Sequence, residues 1–187
     1  MPHVCVLLAN GFEEIEAVTI IDVLRRADID VVTLSVGGSG PNGLTVQGSH
    51  GIAMEADQTL PVGTDTEWDM ILLPGGLPGA TNLRDHPQVQ ALLQKQNDRG
   101  GKVGAICAAP IALGAAGILH GKRATSYPGF EDELHGAQCV EDRVVTAGNV
   151  VTSRGVGTAL EFTLAIVAQL RDEQTAATLR DQMLVRT

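Results

Sequence analysis

The sequence predicts an α/β protein with a mostly parallel sheet sandwiched by helices, and three observations carry this prediction. Of the 187 residues, 44% are hydrophobic but only 3% are aromatic, so the core must be built from Val, Ile, Leu and Ala. Strand-like runs alternate with helix-like runs from end to end, which is typical of right-handed βαβ units. No linker, low-complexity tract or internal repeat interrupts this order, so we expect one domain, residues 1–187.

The elements of the first half are separated by turns rich in Gly, Asn and Pro. Short continuous apolar runs bounded by such turns predict buried strands, and apolar residues at helical spacing predict helices. In chain order these are a strand at 4–9, a helix with Ile15, Val18, Ile21, Val23 and Leu24 as its apolar positions, a strand at 31–36, a hairpin from pieces at 44–46 and 52–54, and a strand at 68–73.

The second half repeats the same alternation. It comprises a helix at 87–98 that ends at Gly100 and Gly101, a strand at 102–106, a helix of small residues at 108–116, a hairpin from 144–147 and 150–153, and a long apolar helix at 157–170.

Charge and cysteine usage exclude several classes of function. Thirteen Lys and Arg stand against 22 Asp and Glu without any basic run, so we expect no sequence-specific nucleic-acid binding. The uncharged stretch at 103–119 is short and interrupted by Pro and Gly, which argues against a membrane span. Three cysteines without a C-x-x-C spacing, and no signal peptide, predict a cytoplasmic protein with reduced thiols and no zinc site.

A glycine-rich segment at 38–43 has the G-x-G-x-x-G spacing of dinucleotide-binding loops. That motif requires a helix to begin directly after it, whereas a strand-like piece follows here. The first βα turn instead carries Glu13, Glu14 and Glu16, whose charges would repel a phosphate. We therefore expect no nucleotide cofactor.

The strongest local motif surrounds Cys107, where a predicted strand turns at once into a helix. Such an elbow needs small neighbours, and Gly104, Ala105, Ala108 and Ala109 supply them. A thiol at a helix N-terminus is expected to have a lowered pKa and to act as a nucleophile. The local sequence leaves open the alternative that Cys107 is a small buried residue without chemistry.

Other candidate residues converge on the edge of the sheet where Cys107 is expected. Ligands of open parallel sheets bind beyond the carboxyl ends of the strands. The backbone N–H groups of Gly75, Gly76 and Ala108 would form an oxyanion hole there, although Gly75 and Gly76 could equally form an ordinary tight turn. Glu16 follows the first strand, but most carboxylates at this helix start are expected to be solvated. No histidine pairs obviously with the thiol, as a Cys–His enzyme would require.

Four motifs together resemble the ThiJ/PfpI superfamily, in its deglycase branch, over nearly the whole chain. They are Gly11-Phe12-Glu13-Glu14-Ile15-Glu16, Leu73-Pro74-Gly75-Gly76, Ala105-Ile106-Cys107-Ala108-Ala109-Pro110 and Thr152-Ser153-Arg154-Gly155. The resemblance implies a flavodoxin-like fold, a homodimer and a nucleophilic Cys107 that oxidises readily to a sulfinate. It also implies that a protonated Glu16 is hydrogen-bonded to Cys107.

The resemblance also implies a function and a substrate pocket. It predicts a cofactor-free hydrolase of the deglycase type, with glyoxalase-like activity, that acts on methylglyoxal or early glycation adducts and protects against carbonyl and oxidative stress. The alternative is a non-catalytic redox sensor or holdase chaperone that works through oxidation of the same cysteine. Pocket residues would be Arg26, which matches a family arginine, His50 and Tyr127, which replace a family arginine and histidine, and Gly155.

Overall fold

One seven-stranded sheet forms the centre of the protein. The computed structural model describes residues 1–60 and 66–186, so the predicted domain end at Thr187 lies outside the described residues. The main sheet has the order β10-β11-β7-β6-β1-β2-β5, and all its neighbours are parallel except β10 and β11. Its strands are β1 (His3–Ala9), β2 (Asp30–Val36), β5 (Gln58–Thr59), β6 (Met70–Leu73), β7 (Lys102–Ile106), β10 (Val144–Ala147) and β11 (Val150–Ser153).

Two small sheets, six α-helices and two short 3₁₀ helices (Glu131–Glu133 and Val156–Thr158) complete the described part of the chain. The small sheets pair β3 (Thr45–Gln47) with β4 (Ala53–Glu55) and β8 (Arg123–Ala124) with β9 (Gln138–Cys139). The helices are α1 (Glu14–Arg26), α2 (Gly79–Asp85), α3 (Pro87–Asp98), α4 (Pro110–Ala115), α5 (Ala159–Leu170) and α6 (Glu173–Gln182). None of these helices is both long and apolar enough to cross a membrane.

Strand β1 explains why helices cover both faces of the sheet. Its side chains alternate between faces, as in any strand, yet all from Val4 to Ala9 are buried. Val4, Val6 and Leu8 belong to a core with α1 and α5, whereas Cys5, Leu7 and Ala9 belong to a core with α2, α3 and α4. A strand that is apolar on both faces needs cover on both, so the predicted sandwich is confirmed.

Several predicted elements match the observed ones, and others differ. The bounds of α3, β7, β10 and β11 are as predicted, and β3 pairs with β4 as the expected hairpin. Of the five predicted apolar positions of α1, Ile21, Val23 and Leu24 are buried, whereas Ile15 and Val18 are exposed. The sequence did not predict α2, α6 or the strands β5, β8 and β9.

The loops after β1, β6 and β7 meet at the carboxyl edge of the sheet. The Glu13 N–H donates to the Gly75 carbonyl at 2.8 Å, which joins the first two loops. The Cys107 N–H donates to Ser153 at the end of β11 at 2.9 Å, and its carbonyl accepts from the Tyr127 N–H at 2.8 Å. The backbone therefore fixes the position of Cys107 from two sides.

Candidate active site

Cys107 sits on a strained turn between β7 and α4. Its φ is 63°, in the left-handed region that residues with a side chain rarely adopt. This conformation places the half-buried sulfur beside the N–H groups of Gly76 and Ala108, both of which lower the pKa of the thiol. The predicted elbow is present, although α4 begins only at Pro110, three residues further on.

Glu16 is the acid that lies against this sulfur. Its side chain is completely buried, and its Oε2 accepts a 2.8 Å hydrogen bond from the Gly75 N–H. Its Oε1 has no hydrogen-bond partner among the described residues. The carboxyl lies close enough to Cys107 for each group to shift the pKa of the other. An unpaired buried oxygen is the place where a carboxyl proton would sit, directed at the sulfur.

Burial changes the acidity of both groups. It raises the pKa of Glu16 to about 7, and the negative charge of Glu13 adds to this rise. It also raises the pKa of the Cys107 thiol to about 12, with a further rise from an ionised Glu16 and an opposing effect of the Gly76 and Ala108 N–H groups. The expectation of a lowered thiol pKa is therefore wrong for this arrangement. A thiolate is favoured only while Glu16 keeps its proton, because two adjacent buried anions repel.

The glycines of the 74–76 turn are required by close packing. A Cβ at Gly75 would lie 2.6 Å from the Cys107 Cβ and 2.9 Å from Glu16 Oε2, and Gly76 has a φ of 87°. The Gly75 N–H is already donated to Glu16, so it is not free for an oxyanion as the sequence analysis expected. Of the three predicted donors, Gly76 and Ala108 remain at the sulfur.

A cleft of about 370 Å³ opens in front of the sulfur. Its lining residues come from the loops after β1, β3, β6, β7 and β8: Glu13, Ser49, His50, Gly76, Leu77, Cys107, Ala108, Tyr127 and Phe130. A larger groove of about 750 Å³ lies against α5 and α6 and contains none of the predicted site residues. The cleft at Cys107 is therefore the candidate active site.

The structure brings together three of the four predicted pocket residues. His50 and Tyr127 line the cleft, and a Cβ at Gly155 would lie 3.9 Å from the Cys107 sulfur. Arg26 is not part of the cleft in this chain, because it lies in the last turn of α1, about 15 Å along the helix from Glu16. There it pairs with Asp22 at 2.6 Å.

Glu13 and Glu14 are buried, contrary to the expectation of a solvated helix start. Glu14 accepts hydrogen bonds from the N–H groups of His50 at 2.6 Å and Ile52 at 3.3 Å, and it contacts the His50 ring at 3.0 Å. Although burial opposes ionisation, the bonds with His50 and Ile52 lower the pKa of Glu14 to about 2. Glu14 thus anchors the 48–52 loop beside the cleft.

One group of described residues has the composition of a metal site. Ligand atoms of Glu13, Glu14 and His50 all lie within 4.8 Å of one another. Both oxygens of Glu14 already accept hydrogen bonds from this loop, so the loop contacts account for the arrangement without an ion.

Sequence reasoning missed four residues of the cleft: Glu13, Ser49, Leu77 and Phe130. Leu77 directly follows the predicted glycine turn, so its place in the chain could have suggested its role. Ser49 and Phe130 lie in loops without a recognisable motif, and only the fold brings them to Cys107.

The fold and the site define an α/β sandwich protein with an acid-paired cysteine at the carboxyl edge of its sheet. The sequence model of the DJ-1/PfpI family matches residues 2–169, and the chain belongs to this family. It is 42% identical over 185 residues to Protein DJ-1 homolog B of Arabidopsis thaliana, and this match covers 98% of the chain and 41% of that relative. The chain thus spans less than half the length of the Arabidopsis protein.

Two further comparisons agree with this membership. The crystal structure of Drosophila melanogaster DJ-1beta has a TM-score of 0.93 at 37% identity, and the match covers 100% of this chain and 99% of that one. A Caenorhabditis elegans relative is 35% identical over 177 residues, which cover 93% of this chain and 91% of that protein. That relative is named glutathione-independent glyoxalase DJR-1.2.

Proposed function

We propose that this protein is a cysteine-dependent, cofactor-free enzyme of the glyoxalase and deglycase type. The observation that carries the proposal is the pairing of Cys107, on its strained elbow, with the fully buried Glu16. The substrates would be methylglyoxal or the early adducts that it forms with amines and thiols. The glyoxalase name of the similar nematode protein supports this reaction class.

The reaction begins from a minor form of the site, in which Cys107 is a thiolate and Glu16 keeps its proton. The sulfur adds to the aldehyde carbon, and the N–H groups of Gly76 and Ala108 stabilise the oxyanion. When the sulfur loses its charge, Glu16 gives its proton to this oxygen and becomes a carboxylate. It then moves a proton from the first carbon to the second through an enediolate, while the hydroxyl proton passes from the first oxygen to the second, which leaves a lactoyl thioester. Water cleaves the thioester, returns one proton to Glu16 and releases the Cys107 thiolate, so methylglyoxal and one water yield lactate and one proton.

Lactate release tests the proposal. Wild-type protein without added cofactor is expected to release lactate from methylglyoxal, whereas Cys107→Ala and Glu16→Gln lose most turnover. Cys139→Ser is the matched control, because Cys139 is exposed in β9 and does not line the cleft. Equal turnover by wild type and Cys107→Ala would contradict the proposal.

The deglycase reaction needs a separate measurement, because adducts release free methylglyoxal spontaneously. We compare lactate formation from a preformed hemiaminal of N-acetyl-lysine with that from methylglyoxal at the same free concentration. A higher initial rate with the adduct supports direct action on it, and equal rates limit the enzyme to free dicarbonyls.

The second candidate is a redox sensor or holdase chaperone that uses the same cysteine. It is favoured by the donors around the sulfur, since two N–H groups and the Glu16 proton would also stabilise sulfinate oxygens.

Mild peroxide is expected to add two oxygens to Cys107 before Cys139 or Cys5 reacts, as peptide mapping would report. A peroxide-dependent gain in aggregation suppression, without lactate release, would favour this candidate over the enzyme.

A further inference from the structure

Two separate segments supply the large apolar side chains of the cleft at Cys107. Leu77 stands directly before α2, whereas Tyr127 and Phe130 belong to the 127–134 segment that follows β8. Leu77 and Tyr127 are each about half exposed, so burial alone does not fix them. The rings of Tyr127 and Phe130 meet edge to face, with their centroids 6.5 Å apart. The width of the cleft therefore depends on how the 127–134 segment is held relative to α2.

The backbone of this segment bonds largely to itself within the described part of the chain. At its start, the Tyr127 N–H donates to the Cys107 carbonyl, and at its end Leu134 is buried. Between these points, the N–H groups of Phe130 and Glu133 donate to the carbonyls of Tyr127 and Phe130 inside the segment. The middle of the segment therefore depends on side-chain contacts for its position.

Glu133 makes such a contact, because it accepts a hydrogen bond from Arg84 in α2. The Arg84 Nη1 lies 2.5 Å from Glu133 Oε2, while its Nε and Nη2 lie 2.7 and 3.0 Å from the two oxygens of Asp85. Asp85 thus holds one edge of the planar guanidinium, and the remaining nitrogen is directed at Glu133. Among the described residues, this is the ion pair that joins α2 to the 127–134 segment.

Arg84 and Glu133 lie on the face of the sheet opposite to α1. Residues of α2 and α4, together with Leu134, contribute to the core on one face, whereas α1 and α5 contribute to the core on the other. A second copy of the chain docked on the exposed side of α1 would therefore leave this pair uncovered. The pair would hold the segment in the same way in a single chain and in a dimer formed through α1.

We propose that Arg84 and Glu133 are positioning residues that fix the width of the cleft and so favour small carbonyl compounds over bulky ones at Cys107. Without the pair, the 127–134 segment moves away from α2 more often, and larger groups reach the sulfur. As a statement about substrates, this inference rests on the proposed function, in which methylglyoxal is the small substrate. As a statement about access to the thiol, it does not.

The first experiment measures access to the thiol and needs no turnover. In a Cys139→Ser background, Cys107 is the reactive thiol, since Cys5 is completely buried. Its rates of reaction are compared for methyl methanethiosulfonate and benzyl methanethiosulfonate, which are both uncharged, so that charges near the cleft do not favour either reagent. The benzyl-to-methyl ratio is divided by the same ratio for a small free thiol, which removes intrinsic reactivity.

We expect Glu133→Gln to raise this normalised ratio about fivefold, which is the size of effect that loss of one partly exposed ion pair permits. The benzyl reagent then reacts faster because the 127–134 segment is displaced in more of the molecules. Arg84→Gln should raise the ratio equally. The double variant should match either single variant, because both changes remove the same contact.

Asp132→Asn is the matched control. It removes a carboxylate from the same 3₁₀ helix as Glu133, but Asp132 forms no ion pair in the described part of the chain. A partly exposed pair contributes little to stability, so all these variants are expected to keep the fold, which thermal unfolding checks. An unchanged ratio in Glu133→Gln, an equal rise in Asp132→Asn, or single effects that multiply in the double variant would overturn the inference.

The second experiment compares kcat/KM for phenylglyoxal and methylglyoxal. Glu133→Gln should raise the phenylglyoxal-to-methylglyoxal ratio about as much as the thiol ratio, mainly through a lower KM for phenylglyoxal. A merely structural role would lower both values together, so an unchanged ratio in an active variant would contradict a role in substrate selection. Absence of turnover with both compounds would count against the proposed enzyme, while the thiol experiment would still decide whether the pair sets access to Cys107.

Discussion

At the scale of single residues, Glu16 shows how a buried carboxyl is tolerated. It has no exposed surface, and one oxygen is held by the Gly75 N–H. Burying the charged form is costly, and the shift of its pKa to about 7 records this cost. Between pH 4.5 and about 7 the folded protein holds this proton, whereas the unfolded chain, whose carboxyl has the ordinary pKa, has already released it.

This proton links stability to pH. Because the pKa of Glu16 is raised in the folded state, its contribution to the free energy of unfolding is most favourable below the ordinary carboxyl pKa of 4.5. This contribution is lost as pH rises through about 7. In urea unfolding, the free energy of unfolding of wild type should fall by about 2.5 kcal/mol relative to that of Glu16→Gln between pH 5 and 8. The variant cannot titrate at this position, so the difference between the two curves isolates Glu16. Parallel curves across this range would contradict the raised pKa.

Two substitutions separate the roles of Glu16 in chemistry. Glu16→Gln keeps a hydrogen-bond donor near the sulfur but loses the transferable proton, so it should retain peroxide oxidation of Cys107 and lose most lactate release. Glu16→Asp keeps the acid but shortens its reach, and both reactions should weaken. Thiolate absorbance titrations and methylglyoxal assays measure the two effects. Unchanged thiol acidity and turnover in both variants would leave Glu16 with a structural role only.

At the scale of elements, the glycine turn after β6 holds the acid and the thiol together. A Cβ at position 75 would overlap the Cys107 Cβ and Glu16 Oε2, so Gly75→Ala must displace at least one of them. We expect kcat/KM for methylglyoxal to fall roughly a hundredfold, as is typical of a displacement of about 1 Å. Gly157→Ala is the control, because a Cβ there meets no atom within 4 Å. Equal losses in the two variants would argue against the packing explanation.

The elements that the sequence predicted well are those whose own residues carry the signal. β7 and β10 are short apolar runs between turn residues, and α3 begins at Pro87 and ends before Gly100. α6 was missed because it is polar, with only Ala176 and Leu179 buried. Its N-cap, Asp172, accepts from the Thr175 N–H at 2.7 Å, and this local signal could have revealed it.

The candidate site could be predicted only in part, because some of its properties depend on loops that only the fold brings together. The spacing around Cys107 and the glycine turn identified the thiol, and the resemblance identified Glu16. The burial of Glu13 and Glu14 was not predictable, because it depends on the 48–52 loop folding over the start of α1. The thiol pKa was also misjudged, since desolvation and a neighbouring charge are properties of the folded site.

At the scale of the whole molecule, we propose that an exposed apolar patch beside the cleft forms the interface of a homodimer. Ile15 and Val18 on α1 are 58% and 50% exposed, and the neighbouring Ile52 is 60% exposed. Large apolar side chains grouped in this way are unfavourable on a monomer and suit a two-fold interface. Light scattering at micromolar concentration should give about twice the monomer mass of 19.6 kDa.

A charge placed in this patch tests the proposed interface. Val18→Glu should shift the protein towards the monomer, because a carboxylate buried between two copies lacks a partner. Leu184→Glu places the same charge on an exposed leucine after α6 and should leave the dimer intact. A wild-type protein that scatters as a monomer, or a Val18→Glu variant that scatters as wild type, would remove this surface from consideration.

Because Cys5 is buried, chemical labelling of its thiol can be used to measure unfolding of the protein. This thiol lies in the central strand β1 with no exposed surface, and burial raises its pKa far above the ordinary value. A thiol reagent can reach it only when β1 separates from its neighbours, so its labelling rate measures the population of such open molecules. In a Cys107→Ala, Cys139→Ser background, labelling kinetics would thus report global stability under native conditions, without denaturant or an added probe.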